Sequence, residues 1–158
     1  MYIIIIIMNM EWGSVTWFLL HGLAEKIKSE EFMNKREELL HLFFLICSNL
    51  PCPDCQEHAK VTIRSLKIKN INSKEDFQKV IWSFHNMVNK RKKYTLFSFE
   101  ECKEKYSKAN ILMILEQFSI VWSKNYKIIK MMNDTLKRTR CVDFVKKWVY
   151  ENKVYFNQ

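Results

Sequence analysis

Turn-forming residues are scarce in this chain of 158 residues, which has two glycines and two prolines. Both prolines flank one cysteine, in Pro51-Cys52-Pro53. A β-sandwich or β-barrel needs a turn signal about every ten residues, and a loop that binds a dinucleotide or a nucleoside triphosphate needs several glycines in one turn. The sequence therefore predicts helices joined by short polar loops, and it excludes Rossmann and P-loop sites.

The length and the hydrophobic content limit the number of domains. Hydrophobic residues make up 48% of the chain and aromatic residues 14%. That content is enough to bury one core, whereas two ordinary domains would need a longer chain. We therefore expect one compact domain with a tail.

Basic side chains exceed acidic ones by nine, and residues 109–158 contribute five of that surplus. A basic balance can serve a nucleic acid, a membrane surface or a bound phosphate compound, but it also keeps a small protein soluble. We interpret the charge of the tail in this last way and expect no nucleic-acid partner. The four consecutive cations at residues 90–93 are a separate feature, because they follow a predicted helix with other unusual residues.

The first ten residues contain five isoleucines. They have no positively charged n-region and no small-residue cleavage site, and they are far shorter than the roughly 20 apolar residues of a membrane-spanning helix. We predict an N-terminal extension at residues 1–10, with no signal peptide, no membrane span and no membrane partner. Met8 or Met10 is an alternative start of the chain.

Apolar residues recur with helical spacing along most of the remaining chain. Three residues mark helix starts: Cys52, which precedes a proline, and Ser73 and Ser98, each followed three residues later by an acidic residue as in a capping box. The basic, polar residues 127–140 are predicted to separate the last two helices. The predicted helices span about residues 14–28, 33–48, 53–66, 73–90, 98–106, 109–126 and 141–153.

The segment from Pro51 to His58 is the strongest chemical signal. Cys52 and Cys55 can close a disulfide at a predicted helix start, where unpaired N–H groups and the positive helix end favour a thiolate, although Asp54 opposes this. The alternative is a zinc site with His58 as third ligand, but structural zinc sites usually have a second paired group. The other cysteines are isolated, at Cys47, Cys102 and Cys141. Redox chemistry is therefore favoured.

A redox-active dithiol of this kind needs an electron acceptor. A thioredoxin-like protein would place its cysteines after a strand, whereas here an apolar helix precedes them. Two predicted helices each carry a planar ring and hydrogen-bonding groups on one face, a combination that suits a flat heteroaromatic ligand. These residues are Gly13, Trp17 and His21 on the first helix and Trp82, His85 and Asn89 on the fourth.

Three motifs resemble, in their order and spacing, the signatures of the Erv/ALR FAD-linked sulfhydryl oxidases. They are WGSVTWFLLH at residues 12–21, LPCPDC at residues 50–55 followed by His58, and HNMVN at residues 85–89. The resemblance covers about residues 11–107. The compact core, which has no added thioredoxin domain, is most similar to members encoded by large DNA viruses.

The resemblance implies an all-α fold, a four-helix bundle with a short fifth helix that holds FAD. It divides the chain into an N-terminal extension (residues 1–10), an Erv/ALR sulfhydryl oxidase domain (11–107) and a helical, basic C-terminal extension (108–158). Cys52 would be the outer sulfur that a substrate thiolate attacks, and Cys55 the sulfur beside the flavin. By position, the flavin contacts would be Gly13, Trp17, His21, His58, Trp82, His85, Asn86, Asn89 and Tyr106.

The phosphate side of the cofactor would meet basic residues, and Arg91 matches such a position. Relatives often have a lysine where this chain has Tyr94, so Lys93 or Lys92 would take its place. No metal is expected in this interpretation.

The resemblance also implies an activity, the oxidation of protein dithiols to disulfides. Electrons would pass from the Cys52–Cys55 pair through FAD to oxygen, giving hydrogen peroxide, and a thioredoxin-like carrier is one candidate partner. A homodimer is expected by analogy, and a viral protein of this kind would act in the cytosol of an infected cell or in the virion. Many relatives have a second, mobile cysteine pair, which this sequence lacks. The alternative is a zinc-stabilised helical interaction module that uses Cys52, Cys55 and His58.

Overall fold

The computed structural model describes residues 11–124 and 132–158, and within these ranges it contains helices and no β-strand. The predicted all-α class is confirmed. The predicted extension at residues 1–10 lies outside the described residues. The helices are α1 (Trp12–Lys26), α2 (Phe32–Ser48), α3 (Pro53–Ser65), α4 (Lys74–Lys92), α5 (Phe99–Ser107), α6 (Ile111–Trp122) and α7 (Met132–Asn152), with short 3-10 turns at Ser29–Glu31, Ile68–Asn70 and Lys153–Tyr155.

The three predicted helix caps are confirmed. The Cys52 sulfur accepts a hydrogen bond from the backbone N–H of Cys55 at 3.2 Å, and Pro53 opens α3. The Ser73 hydroxyl caps α4 in the same way. Ser98 and Glu101 form a complete capping box at the start of α5, with hydrogen bonds of 3.1 and 2.6 Å. Each cap satisfies a backbone N–H that has no partner inside its own helix.

Helix α1 lies in the middle of the bundle and packs against α4, α5 and α6. Its apolar residues Val15, Leu19 and Leu23 are almost completely buried. A Cβ atom at Gly22 would lie 3.0 Å from the side chain of Ile111, so glycine lets α6 approach α1 closely. The first helix therefore carries its predicted motif residues in the interior of the protein.

The prediction of a polar linker at residues 127–140 is wrong in its second part, because α7 already begins at Met132. Arg138 explains the difference. This side chain is 1% exposed and donates hydrogen bonds to the backbone oxygens of Trp122 (2.9 Å) and Lys124 (3.3 Å) at the end of α6. A polar sequence predicts a loop, whereas here a buried cation binds carbonyl groups that a helix end leaves without partners.

The chain terminus returns to α1. The Lys28 N–H donates to the Tyr155 oxygen at 2.9 Å, and the Asn157 N–H donates to the Lys26 oxygen at 2.7 Å. Among the described residues, no helix combines the length and the apolar character that crossing a bilayer requires.

Candidate functional site

Cys52 and Cys55 are joined by a disulfide at the start of α3, with their Cα atoms 5.1 Å apart. Both residues are half-buried. The preceding turn is held by the Gln56 amide, which donates to the Leu50 backbone oxygen at 2.6 Å. The pair is thus presented at a fixed helix N-terminus, whose positive end stabilises a thiolate after reduction.

A cleft of about 680 Å³ opens beside this disulfide, between α1, α3 and α4. Five of the predicted site residues line it: Gly13, Trp17, Cys55, His58 and Arg91. The sequence analysis missed several others. They include Thr16 from α1 and Met87 and Val88 from α4. The only signal for these three in the sequence was their position, one helical turn from Gly13 or from Arg91.

The chemistry of the cleft walls is mixed. Cys55 supplies a redox-active sulfur, Trp17 supplies a planar ring, and Arg91 and Lys92 supply cations from the last turn of α4. No other atom lies within 4 Å of the position that a Cβ atom would take at Gly13, so this glycine borders open space. The arrangement can take a ligand that is both aromatic and anionic.

A stack of rings lies behind the cleft. The Trp17 indole and the His85 imidazole have centroids 3.8 Å apart and an interplanar angle of 7°. His21 Nε2 lies 2.9 Å from His85 Nδ1, and the His21 ring stacks on Tyr106 with a centroid distance of 4.2 Å. The motifs of the first and fourth helices, together with the aromatic residue of the fifth, therefore meet in one array of rings, in which Trp17 is half-buried and the other three rings are buried.

The two histidines of this array, His21 and His85, are neutral near pH 7. Burial, and then the repulsion from Lys105, lowers the pKa of His85 to about 3. Burial also lowers the pKa of His21 well below its ordinary value, with further repulsion from His85 and Lys105. In the hydrogen bond between them, one ring nitrogen donates and the other accepts.

Three predicted contacts on α4 point elsewhere, to the segment that joins α4 to α5. Trp82 Nε1 and Asn86 Nδ2 both donate to the Phe97 backbone oxygen, at 2.9 and 2.8 Å, and the Phe97 N–H donates to Asn86 Oδ1 at 3.3 Å. Asn89 donates to the Thr95 backbone oxygen at 3.3 Å. The Phe97 ring meets His85 edge-on at 5.0 Å, a neighbour that the sequence analysis missed.

The two candidate lysines occupy different places. Lys92 lines the cleft, whereas Lys93 ends α4 in a left-handed conformation with φ of 59° and is exposed. The structure thus brings Lys92 together with Arg91, and leaves Lys93 outside the cleft.

The alternative zinc site is not assembled. His58 is exposed, and its Nδ1 lies 2.7 Å from the Asp54 backbone oxygen. Cys52 and Cys55 are joined to each other, and no three His, Cys, Asp or Glu side chains of the described ranges come together as a metal site. Cysteine binds zinc as a thiolate, so this disulfide would first have to be reduced.

The three remaining cysteines are buried and free. Burial raises the pKa of the Cys102 thiol to about 12, and does the same for Cys141. Burial also raises the pKa of Cys47. The thiolate is the reactive form, so these side chains are poor nucleophiles in this structure.

Comparisons with known proteins agree on one group. A family model described as the Erv1/Alr family matches residues 14–107. The FAD-linked sulfhydryl oxidase of African swine fever virus is 30% identical over 107 residues, which cover 68% of this chain and 88% of the relative. A probable FAD-linked sulfhydryl oxidase of fowlpox virus is 30% identical over 58% of this chain and 84% of its own length. The FAD-linked sulfhydryl oxidase of Arabidopsis thaliana is 26% identical over a segment that covers 61% of this chain and 50% of the relative. No solved structure matches this chain.

Proposed function

This chain belongs to the Erv1/Alr family, and we propose that it is an FAD-dependent thiol oxidase that forms disulfide bonds in protein dithiols. The observation that carries the proposal is the position of Cys55. This half of the disulfide lines the same cleft as Gly13, Trp17 and Arg91. The curated relatives from three sources, each named an FAD-linked sulfhydryl oxidase, support the same activity.

The residues present fit FAD. The open space at Gly13 accepts a flat ring that approaches the backbone of α1. The Trp17 indole, which stacks on His85 on one side, lines the cleft with an aromatic ring. Arg91 and Lys92 suit a diphosphate, because both are cationic donors on the wall of one cleft. When bound here, FAD supplies a two-electron acceptor that restores the disulfide and can pass its electrons to oxygen, giving hydrogen peroxide.

The cysteine pair carries out the exchange with the substrate. A substrate thiolate attacks the Cys52 sulfur, a new S–S bond forms to it, the Cys52–Cys55 bond breaks, and Cys55 leaves as a thiolate. The start of α3 stabilises that thiolate. The second substrate thiolate then attacks the first substrate sulfur and releases Cys52, so the substrate leaves as a disulfide and the enzyme holds both electrons as a reduced pair.

The neutral His21–His85 pair acts by positioning. It adds no positive charge behind the cleft, and its hydrogen bond links α1 to α4. The residues proposed to contact the cofactor directly are those of the cleft. Trp82, Asn86 and Asn89 act through the Thr95–Phe97 segment, to which all three are hydrogen bonded.

The proposal includes several expectations from the family resemblance. Residues 11–107 would form the oxidase domain and residues 108–158 an extension, and two chains would associate as a homodimer. Oxygen would be the final electron acceptor, and a thioredoxin-like carrier is a candidate partner. If the gene is viral, the protein would act in the cytosol of an infected cell or in the virion.

Absorption spectroscopy and oxygen uptake test the proposal together. The purified protein should show the visible absorption band of a bound oxidised flavin, and it should consume oxygen when dithiothreitol is added. Cys52→Ser should keep the flavin and lose oxygen uptake. Cys141→Ser serves as the matched control and should keep both. A colourless protein that consumes no oxygen even after incubation with FAD would contradict the proposal.

A further inference from the structure

A second concave surface lies between α2 and α7, outside the cleft. His41, Leu45 and Asn49 follow one another at four-residue spacing along α2 and its end, and Lys137, Arg140 and Phe144 face them from α7. The groove between these two rows, here called the α2–α7 groove, has a volume of about 630 Å³. Its floor is apolar, because it is formed by the side chains of Leu45, which is half-buried, and Cys141, which is 2% exposed.

The two helices run antiparallel, which gives the groove a direction. Trp148 donates to Glu38 at 2.5 Å, the Phe144 ring meets His41 with a centroid distance of 5.6 Å, and the Cys141 sulfur lies 3.9 Å from the Leu45 oxygen. Residue numbers thus fall along α7 as they rise along α2. Continuing this register places Lys137 at the Asn49 end of the groove.

The Asn49 end leads directly to the disulfide. Three residues of extended chain span roughly 11 Å at most, so Cys52 lies within that distance of Asn49. Leu50 and Pro51, which connect them, are buried, and Gln56 holds the Leu50 oxygen. A polypeptide lying in the groove would therefore reach the sulfur that the proposed exchange attacks.

The groove is cationic at this end. Lys137 and Arg140 are exposed, and within the described residues neither forms an ion pair. The nearest carboxylates on α2 are at the far end and are engaged: Glu38 accepts from Trp148 and Lys35, and Glu37 pairs with Arg36. Asp143 is exposed on α7 but does not line the groove.

The groove offers one exposed apolar side chain, and its one cysteine is not reactive. Phe144 is 44% exposed above the floor. The Cys141 thiol in the floor is protonated near neutral pH, because burial raises its pKa to about 12. The surface is therefore suited to binding and not to thiol exchange.

We propose that the α2–α7 groove binds an acidic segment of the substrate polypeptide next to its dithiol. Aspartate or glutamate side chains would pair with Lys137 and Arg140, and an apolar side chain would lie on Phe144. This inference rests on the proposed thiol oxidase function and adds a substrate class to it. The C-terminal extension, which contributes one wall of the groove, would thereby select substrates, while the Cys52–Cys55 pair carries out the reaction.

Three dithiol peptides test this inference with the flavin-loaded protein. The peptides are identical except that two residues beside the cysteines are acidic, neutral or basic, and kcat/KM is compared with that for dithiothreitol. The wild type should prefer the acidic over the basic peptide by about fivefold at low salt, since two exposed charge pairs contribute modestly and are screened. The Lys137→Glu, Arg140→Glu double variant should reverse this order.

A matched control carries the same change of charge elsewhere. Lys69→Glu with Lys108→Glu alters two exposed lysines that do not line the groove, and it should keep the preference for the acidic peptide. If the double reversal impairs folding, Lys137→Gln with Arg140→Gln should abolish the preference without reversing it. All variants should oxidise dithiothreitol at the wild-type rate, because this small dithiol does not use the groove.

Three outcomes would overturn the inference. The first is equal kcat/KM for all three peptides in the wild type, and the second is a control variant that loses the preference as fully as the groove variant. The third is binding of a mixed-sequence oligonucleotide that requires Lys137 and Arg140, with no preference among peptides, which would assign the two cations to nucleic acid. A wild type that oxidises neither peptides nor dithiothreitol would instead refute the thiol oxidase itself.

Discussion

The indole nitrogen of Trp122 donates a hydrogen bond to the Thr16 hydroxyl at 2.9 Å, and that hydroxyl donates in turn to the Trp12 carbonyl at 2.5 Å. Trp122 is completely buried on α6, beyond the segment that matches the family. Thr16 and Trp12 line the cleft beside the disulfide. One wall of the proposed cofactor site is therefore held in place by a helix that lies beyond the matched segment.

We expect Trp122→Phe to lower the free energy of unfolding by about 2–4 kcal/mol, because it removes one hydrogen bond and also part of a completely buried ring. It should also weaken FAD binding severalfold, because the Thr16 hydroxyl loses the donor that fixes it. Chemical unfolding and the dissociation constant of FAD are the measurements. Tyr150→Phe removes an exposed hydroxyl that bonds Glu116 on the surface, and it should leave the FAD dissociation constant unchanged. Equal FAD affinity in wild type and Trp122→Phe would contradict this role.

The two glycines of the chain give opposite predictions. Gly13→Leu places a side chain in the open space of the cleft, so FAD affinity should fall by at least about tenfold while the apoprotein unfolds at the wild-type temperature or above it, since leucine favours a helix. Gly22→Leu should instead lower the free energy of unfolding by about 1–3 kcal/mol, because the new side chain displaces Ile111. Calorimetry of the apoproteins and FAD titration separate the two effects. Full flavin loading of Gly13→Leu would show that the cofactor does not approach this glycine.

The buried histidines predict a dependence of stability on pH. The pKa of His85 falls from 6.5 to about 3 on folding, so between these values the unfolded chain binds a proton that the folded chain does not. The free energy of unfolding should therefore decrease as the pH falls below 6.5, by up to roughly 1.4 kcal/mol per pH unit for this residue.

Urea unfolding at several pH values between 4 and 7 measures this slope. His85→Gln should be less stable at pH 7 and should have a shallower slope. The same substitution at the exposed His41 controls for the loss of an imidazole outside the buried pair. An unchanged slope in His85→Gln would mean that this side chain does not remain neutral on acidification.

Asn86 holds the connection between α4 and α5 through two hydrogen bonds to the Phe97 backbone. We expect Asn86→Ala to lower the free energy of unfolding by about 1 kcal/mol and to increase proteolysis within residues 94–98, because the Phe97 N–H loses its partner and the Phe97 oxygen keeps only the hydrogen bond from Trp82. Limited proteolysis followed by mass spectrometry locates the cleavage. Asn34→Ala, which removes an exposed contact to Glu31, should show no new cleavage there. If the segment stays protected in Asn86→Ala, these hydrogen bonds are not what orders it.

The helix starts and the cysteine pair could be predicted from the sequence. The caps at Cys52, Ser73 and Ser98 involve residues only three positions apart, and so does the Cys52–Cys55 disulfide. Contacts at that separation depend on local backbone geometry, which residue types and spacing specify. The three motifs also placed the chain in its family, because their order and spacing are features of the sequence itself.

The assembly of the site was decided by the tertiary structure. Trp17 stacks on His85, and Trp122 reaches Thr16, across separations of 68 and 106 residues. Helix α7 begins earlier in the chain than its polar sequence predicts. Its buried Arg138 depends on the carbonyl groups at the end of α6, to which it is hydrogen bonded. A sequence pattern shows which residues are apolar or polar, whereas the partner of a buried polar group depends on how the helices pack. The sequence by itself therefore determined the capped helix starts, the redox pair and the family. The packing of the helices determined where α7 begins and which side chains form the cleft, the ring stack and the α2–α7 groove.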